Sequence, residues 1–458
     1  MKNFHRILLA SAMSLAALCG AAQRTASGYF LDDYTYRHQL NPAFGNSQGY
    51  VAMPALGNVN AWANGTLPVS SVIYSVDGQT TTFLNPGVSV NQVMSNIKDR
   101  NRIGTDVSLT LLSAGFKAWG GYNTVTVNVR TDAGVTLPRS LFSLLKEGAA
   151  NRTYDIKDVG AFAVGYAEVG FGHSHDVTDE VRLGGNFKFL VGMANADVKF
   201  SKASLELGRD NWVITADAQA QVNIKGFEYK TTVDKKTGRE YVNGVKVSNT
   251  GINGFGAVVD LGVVYRPKAL KDFEFSLSLL DLGFIAWSNN VVATTGGERT
   301  FTTDKYTFNV NKDAPNSFSK EWDKIKDDFS ALYQLDNRGN TGGRTTMLGA
   351  TLNVGVLYAF PPYRNLRFGL LNTTRIQGAY SWTDFRLSAN IMPCKVFDAG
   401  INVSAGTYGI GFGWLLNLHC TGFNLFVGMD RTVGTMAKQF VPLNSNAQLN
   451  LGLNFLFN

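Results

Sequence analysis

Apolar side chains fall at every second position in one segment after another of this 458-residue chain. The last eleven residues show it most plainly. Leu449, Leu451, Leu453, Phe455 and Phe457 share one face of an extended strand, and Gln448, Asn450, Gly452, Asn454 and Asn458 share the other, with Leu456 the one exception. A period of two means a strand with two unlike sides. A half-buried strand of a soluble sheet has that pattern, and so does a strand of about ten residues tilted across a bilayer.

The alternation begins near Asp106 and recurs to the end. Val125, Val127 and Val129 oppose Thr124, Thr126, Asn128 and Arg130. Val181, Leu183, Phe187, Phe189 and Val191 oppose Arg182, Asn186 and Lys188. Further segments lie near 159–171, 196–207, 212–222, 255–265, 273–279, 348–358, 366–370, 385–391, 397–403, 410–418 and 423–429. Barrels of this kind have an even strand number, so a count of about fifteen becomes 14, or 16 if residues 50–75 and 107–118 are used differently.

Alternation alone does not separate a soluble sandwich from a membrane barrel. Connection lengths do. Counted back from a periplasmic C-terminus, the long connections near 131–158, 224–254 and 286–345 fall on the outer side. The short ones, near 174–179, 266–271, 360–363, 393–395 and 419–421, fall on the periplasmic side. Long outside and short inside is the barrel pattern. The expected fold is therefore all-β, a transmembrane antiparallel barrel over residues 101–458 with both termini periplasmic.

The start of the chain fits that location. Lys2, His5 and Arg6 precede an apolar run from Ile7 to Leu18, and Ala21-Ala22 offers a cleavage site, so residues 1–22 read as a secretory signal peptide. Cys19 raises a lipoprotein alternative, but Leu18 before it is not small. After the signal no apolar run reaches the roughly 18 residues a spanning helix needs. Without Lys2 and Arg6 the mature chain carries 40 basic against 35 acidic residues, spread evenly, which excludes a nucleic-acid patch.

Residues 23–100 lack the regular pattern and read as an N-terminal plug leading into the wall. Asn41-Pro42-Ala43 forms its centre, and a second run, Met53 to Asn58, also contains proline. Val90, Val93, Met94 and Ile97 have helical spacing. Pro138, Leu141, Leu144, Leu145 and the stop at Gly148 predict a short helix in one long loop. Trp322, Ile325, Phe329 and Leu332 predict a longer amphipathic one in another.

Chemistry is sparse. His173 and His175 could share a metal, but no third ligand is visible. No Gly-x-Ser-x-Gly elbow or phosphate loop occurs, so neither catalysis nor a cofactor is expected. Cys394 and Cys420 both fall in proposed periplasmic turns, at the meeting ends of two strands expected to be neighbours, and predict a disulfide in an oxidising compartment. Glu168, Arg182, Lys188, Asp260, Arg266, Asp384, Arg386 and Asp398 fall on the polar faces and are expected to line the lumen. Their mixed sign argues against a dedicated cation or anion pore.

Several stretches resemble known outer-membrane barrels. The terminal strand is similar to the one that closes such barrels and signals to the barrel-assembly machinery, here through Phe455 and Phe457. The Asn41-Pro42-Ala43 box resembles the N-terminal plug of the FadL-like long-chain fatty-acid transporter superfamily, and the run from Gly254 to Arg266 resembles a strand motif common in that superfamily. Tyr166 to Gly172, Gly184 to Gly192, Met53 to Asn58 and Leu279 to Trp287 resemble a Bacteroidota-type barrel family of unknown function. The resemblance implies a plugged, monomeric 14-stranded barrel in the outer membrane of a Gram-negative bacterium, in contact with its lipid. Passive transport or binding of a small hydrophobic molecule is the first expectation. A structural or secretion-linked barrel that docks a partner protein through its outer loops, like the type IX secretion adaptor, is the alternative.

Overall fold

The computed structural model describes residues 25–457 apart from 78, 149–150, 209–210, 235–237, 305–319, 322, 326–327, 329–331, 333 and 433–445. The proposed signal peptide, Trp322 and Phe329 lie outside the described residues.

Fourteen antiparallel wall strands close into a barrel. β1 is interrupted, Gly49–Ala52 then Val59–Gly65. It is followed by β2 (Arg100–Ala118), β3 (Gly121–Pro138), β4 (Gly160–Asp176) and β5 (Val181–Leu207). Next come β6 (Gly254–Tyr265), β7 (Phe273–Trp287), β8 (Ala350–Ala359) and β9 (Leu366–Ile376). The wall ends with β10 (Trp382–Cys394), β11 (Phe397–Gly406), β12 (Gly409–Cys420), β13 (Phe423–Met429) and β14 (Ala447–Phe457). Closure is made by β1, which pairs with β14 on one side and β2 on the other. Pro54 falls in the gap of β1, where its missing N–H costs the ladder nothing.

The two faces of the wall settle its surroundings. Phe187, Phe255, Leu261, Leu370, Phe385, Leu387, Ile401 and Phe455 point outward and are exposed. Asn128, Lys188, Asp260, Ser278, Asn353, Asn402, Asn417, Asn424 and Asn450 point inward and are buried. An apolar outside around a polar inside reverses the order of a soluble barrel and is that of a transmembrane barrel of the outer-membrane type. No helix among the described residues is long and apolar enough to cross a membrane.

Two segments expected as separate wall strands are not. Residues 196–207 continue β5, a strand of 27 residues. Its first half pairs with β6 in the wall, Val181↔Tyr265 through Gly192↔Gly254. Its second half leaves β6 and pairs with Trp212–Ile224, which then holds Val291–Thr294 and Arg299–Thr302. The wall sheet thus extends past β6 at the long-connection end, still joined to β4 through Gly160↔Lys199 to Gly165↔Ala194. Alternation persists along it, so period alone does not reveal the departure.

The connection expected near 131–158 is shorter, because β3 runs on to Pro138. Its helix α2 (Arg139–Glu147) takes Pro138 as N-cap rather than inside the first turn, and ends at Gly148 with φ 77°. The other short helix, α1 (Val90–Met94), is capped by Ser89, whose hydroxyl accepts from the Gln92 amide at 3.2 Å. Leu67, Phe83, Val88, Val93, Met94, Ile97 and Phe142 bring α1 and α2 into one apolar cluster at the long-connection end. In the predicted amphipathic helix, the described residues between Lys320 and Leu332 are helical, and Leu332 packs on Ile214 and Phe301.

Candidate functional site in the barrel lumen

Residues 25–48 lie inside the barrel. Their aromatic residues Tyr29, Phe30, Tyr34, Tyr36 and Phe44 are buried with Leu31 and Leu40 in one cluster. Around that apolar strip, polar wall residues reach in. The Tyr29 hydroxyl donates to Ser276 at 3.1 Å, Tyr34 to Asn450 at 3.1 Å and Tyr36 to Asn454 at 2.8 Å. Thr35 donates to Asn424 at 2.8 Å, and Asn417 to the Asp33 carbonyl at 3.0 Å. Burial pushes the phenol pKa values of Tyr29, Tyr34 and Tyr36 up, so all three remain neutral donors.

The segment starts in the half of the lumen near the long connections. There Asp430 accepts from the Ala26 amide at 2.7 Å, the Ser27 amide at 2.6 Å and the Ser27 hydroxyl at 2.5 Å. Thr25 accepts from Asn60 at 2.9 Å. The segment leaves at the short-turn end, where Gly49 opposes Phe457.

Asn41-Pro42-Ala43 sits against the β5–β6 wall. Asn41 donates to the carbonyls of Val263 at 3.4 Å and Leu277 at 3.3 Å, and its own side-chain oxygen accepts from the Ala43 amide at 3.0 Å. Gly184 and Gly262, paired across β5 and β6, form the floor. A Cβ on Gly184 would overlap the Pro42 carbonyl, and one on Gly262 would overlap the Asn41 side chain. Two glycines therefore let the box approach the wall backbone.

Of the eight charged residues read as lumen-lining, Glu168, Lys188, Asp260, Asp384, Arg386 and Asp398 are buried inside the barrel. Arg182 is half-buried and Arg266 exposed, both at the short-turn mouth. Five of these six, all but Asp398, form two networks with partners the sequence reading did not select. Lys188 lies 2.7 Å from both Asp260 and Asp281, and Arg130 bridges Asp281 at 3.1 Å and Glu168 at 3.5 Å. Arg386 pairs with Asp384 at 3.2 Å and Asp430 at 3.3 Å, and Arg431 with Asp384 at 2.7 Å. Asp398 accepts from Asn417 at 2.7 Å and lies 3.5 Å from His419. Buried charges arranged in such networks compensate one another's desolvation.

Asp281 was missed because β7 is bulged against β6 between Val259 and Leu261. Counted from Leu277 and Leu279 it belongs outside. Its φ of 59° and the bulge turn it inward, and Leu282 and Phe284 resume the outer face on the opposite parity.

The expected disulfide does not form: Cys394 and Cys420 are free. Cys394 ends β10 and Cys420 ends β12, with β11 between them. Two strand spacings of roughly 4.8 Å each exceed the Cα separation of about 7 Å that a disulfide tolerates. The rings of His173 and His175 are 5.2 Å apart, and His173 Nδ1 bonds Asn123 at 2.9 Å. Among the described residues no group of three or more His, Cys, Asp or Glu is placed to hold a metal. Phe455 and Phe457 lie outward on β14.

At the short-turn end, the lumen opens into a cavity of about 890 Å³ lined by Asp32, Asp33, Arg37, Lys117, Arg182, Arg266, Glu274 and Arg367. Asp32 binds Arg37 and, at 2.6 Å, Arg367. Enclosure works against its ionisation, but the two guanidiniums outweigh this and hold its pKa down to about 2.

No curated protein matches the chain. Among solved structures, the Ralstonia pickettii toluene transporter TbuX aligns over 93% of this chain and 94% of its own, at 8% identity and a TM-score of 0.41. The Pseudomonas putida toluene transporter TodX aligns over 95% and 93%, at 6% identity and 0.39. A Pseudomonas aeruginosa FadL homologue aligns over 96% and 100%, at 8% identity and 0.42. A family model covers far more than half of the sequence, residues 42–430, and the chain belongs to that family, the family of unknown function DUF5723.

Proposed function

We propose that this protein is an outer-membrane barrel that binds or passes a small, largely apolar molecule without chemistry, with residues 25–48 as its plug. The observation that carries the reading is how the segment is held. Beside apolar packing on Leu357, Leu371, Leu415 and Phe426 and the Asp32–Arg367 pair, its hydrogen bonds to the wall run through side chains such as Tyr34, Thr35 and Tyr36, and no described residue between 25 and 48 joins a wall strand. Such bonds contribute about 0.5–1.5 kcal/mol each and exchange readily for water. A shift of the segment would leave a passage with Tyr29, Phe30 and Phe44 on one side and wall asparagines on the other, suited to an apolar solute with a polar end. The Asn41-Pro42-Ala43 box, resting on Gly184 and Gly262, is the part we expect to move.

The test is uptake of a lipophilic probe by proteoliposomes. In a Cys394→Ser/Cys420→Ser background, Thr35→Cys and Asn424→Cys are joined by a short thiol cross-linker. Uptake by the free form and its loss on cross-linking supports the plug reading. Uptake equal in both forms, or absent from both, refutes it.

A second reading, a barrel that docks a partner protein, is favoured by the extension of the sheet that β5 carries past β6. Together with the hairpin Phe227–Val233 and Glu240–Val247, where Val233, Val245 and Val247 are exposed, it gives the long-connection end a surface beyond what the barrel needs. Photo-cross-linking from Val245 in living cells tests it. A defined protein adduct supports docking, and its absence leaves the plug reading alone.

A further inference from the structure

We propose that the lumen has a second closure at the long-connection end, an aromatic gate of Trp62, Trp382 and Tyr408 that shuts above the start of the plug. Its role as a gate rests on the reading of the lumen as a passage, whereas the closure itself does not.

Trp62 shares the inward face of β1 with Asn60 and Asn64, and Trp382 shares that of β10 with Asp384 and Arg386. Along the wall, β14, β13, β12 and β11 lie between those two strands. Five strand spacings of roughly 4.8 Å put β1 and β10 about 24 Å apart around the wall. Their two tryptophan ring centres are nevertheless 5.6 Å apart, so the rings meet across the lumen. Tyr408, in the turn between β11 and β12, joins both, 5.6 Å from Trp62 and 6.2 Å from Trp382. Between the three rings and Ala26, Thr373 and Arg386, the remaining void is about 10 Å³. That is room for at most one water. Moving residues 25–48 aside would therefore leave this end of the lumen shut.

The packing of the rings also lets them part. Trp62 meets Trp382 and Tyr408 edge-on, at interplanar angles of 70° and 87°, and such ring pairs are individually weak. The Trp62 indole Nε1 is buried with no hydrogen-bond partner. By contrast, the buried Trp287 donates its indole N–H to Thr346 at 2.8 Å. A buried donor left unpaired destabilises the state that buries it. Swinging the Trp62 indole to water restores the bond and offsets part of the packing that is lost. Tyr408 sits on a turn and not in a strand, so its ring can leave without breaking the wall ladder.

The test is thiol labelling of the full-length protein in non-ionic detergent, in a Cys394→Ser/Cys420→Ser background. Thr373→Cys places a reporter beneath the rings, and Ser276→Cys places one beside Tyr29, deeper along the plug. A small water-soluble methanethiosulfonate should label the first only slowly. Trp62→Ala/Trp382→Ala, which removes both cross-lumen rings, should speed that labelling at least about tenfold and leave the second reporter's rate unchanged. Tyr408→Ala, the second variant, keeps both wall tryptophans and should speed it about threefold. Faster labelling in neither variant, or an equal rise at both reporters from general loosening, overturns the proposal. Uptake of the lipophilic probe by proteoliposomes of the same variants separates the closure from the passage reading. Labelling that speeds up with no uptake in any variant keeps the closure and refutes the passage. Uptake with labelling that neither variant changes keeps the passage and refutes the closure.

Discussion

Replacing Asp430 with alanine should release the start of the lumen segment while leaving the wall intact. Asp430 follows β13 and accepts three hydrogen bonds from Ala26 and Ser27, at 2.5–2.7 Å. It also pairs with Arg386 at 3.3 Å. Hydrogen bonds to a charged group contribute about 1.5–3 kcal/mol each, and removing one partner of a buried pair costs about 3–5 kcal/mol. The three bonds do not add fully, since the Ser27 amide and hydroxyl share Oδ1. Arg386 keeps Asp384 and Asn402, so the loss falls mainly on the segment's own donors. We therefore expect about 3 kcal/mol less holding free energy at Ala26–Ser27, an increase of roughly 150-fold in local opening. Asp430→Asn keeps one acceptor and should cost about 1–2 kcal/mol. Hydrogen exchange followed by mass spectrometry reads this directly. Peptides covering residues 25–34 should exchange faster in the order wild type, Asn, Ala, with the β14 peptide unchanged as an internal reference. Unchanged exchange at 25–34 in the alanine variant would refute the anchoring argument. A parallel rise in β14 would mean that the wall had opened instead.

Further outcomes follow from the same geometry. Gly184→Ala, whose Cβ would overlap the Pro42 carbonyl, should destabilise the barrel by about 1–3 kcal/mol in urea unfolding. Its neighbour Gly185→Ala, whose Cβ meets nothing nearer than the Asp260 carbonyl at 3.9 Å, should stay within about 0.5 kcal/mol. Lys188→Met leaves Asp260 and Asp281 buried without their shared cation and should cost about 3–5 kcal/mol, read by the same unfolding curve. Asp32 has a folded pKa below its unfolded value, so its ion pairs stabilise fully above about pH 4 and are lost as pH falls towards 2. Protease susceptibility of residues 25–48 should rise across that window in wild type and show no such step in Asp32→Asn. A thiol reagent should modify Cys394 and Cys420 without prior reduction, Cys394 faster because it is the more exposed.

What the sequence disclosed, and what it hid, divides along one physical line. Parity along a strand is local, so it was readable. Phe187 and Phe255 outside and Lys188 and Asp260 inside follow from a period of two, and so does the division between long and short connections. Which strands are neighbours is not local. Cys394 and Cys420 were paired on the assumption that their strands touch, and β11 separates them. The second half of β5 keeps its alternation but exchanges β6 for Trp212–Ile224, because pairing partners and not the strand's own pattern decide where it goes. Bulges defeat parity itself. At Asp281 one irregular residue exchanges the two faces of β7, and the carboxylate that joins Lys188 to Arg130 is assigned by counting to the lipid side. An Asp on the lipid face of a membrane strand is itself improbable on energetic grounds. That cost, weighed against the count, is the signal that could have placed a bulge before Leu282 and brought Asp281 into the lumen network from sequence alone.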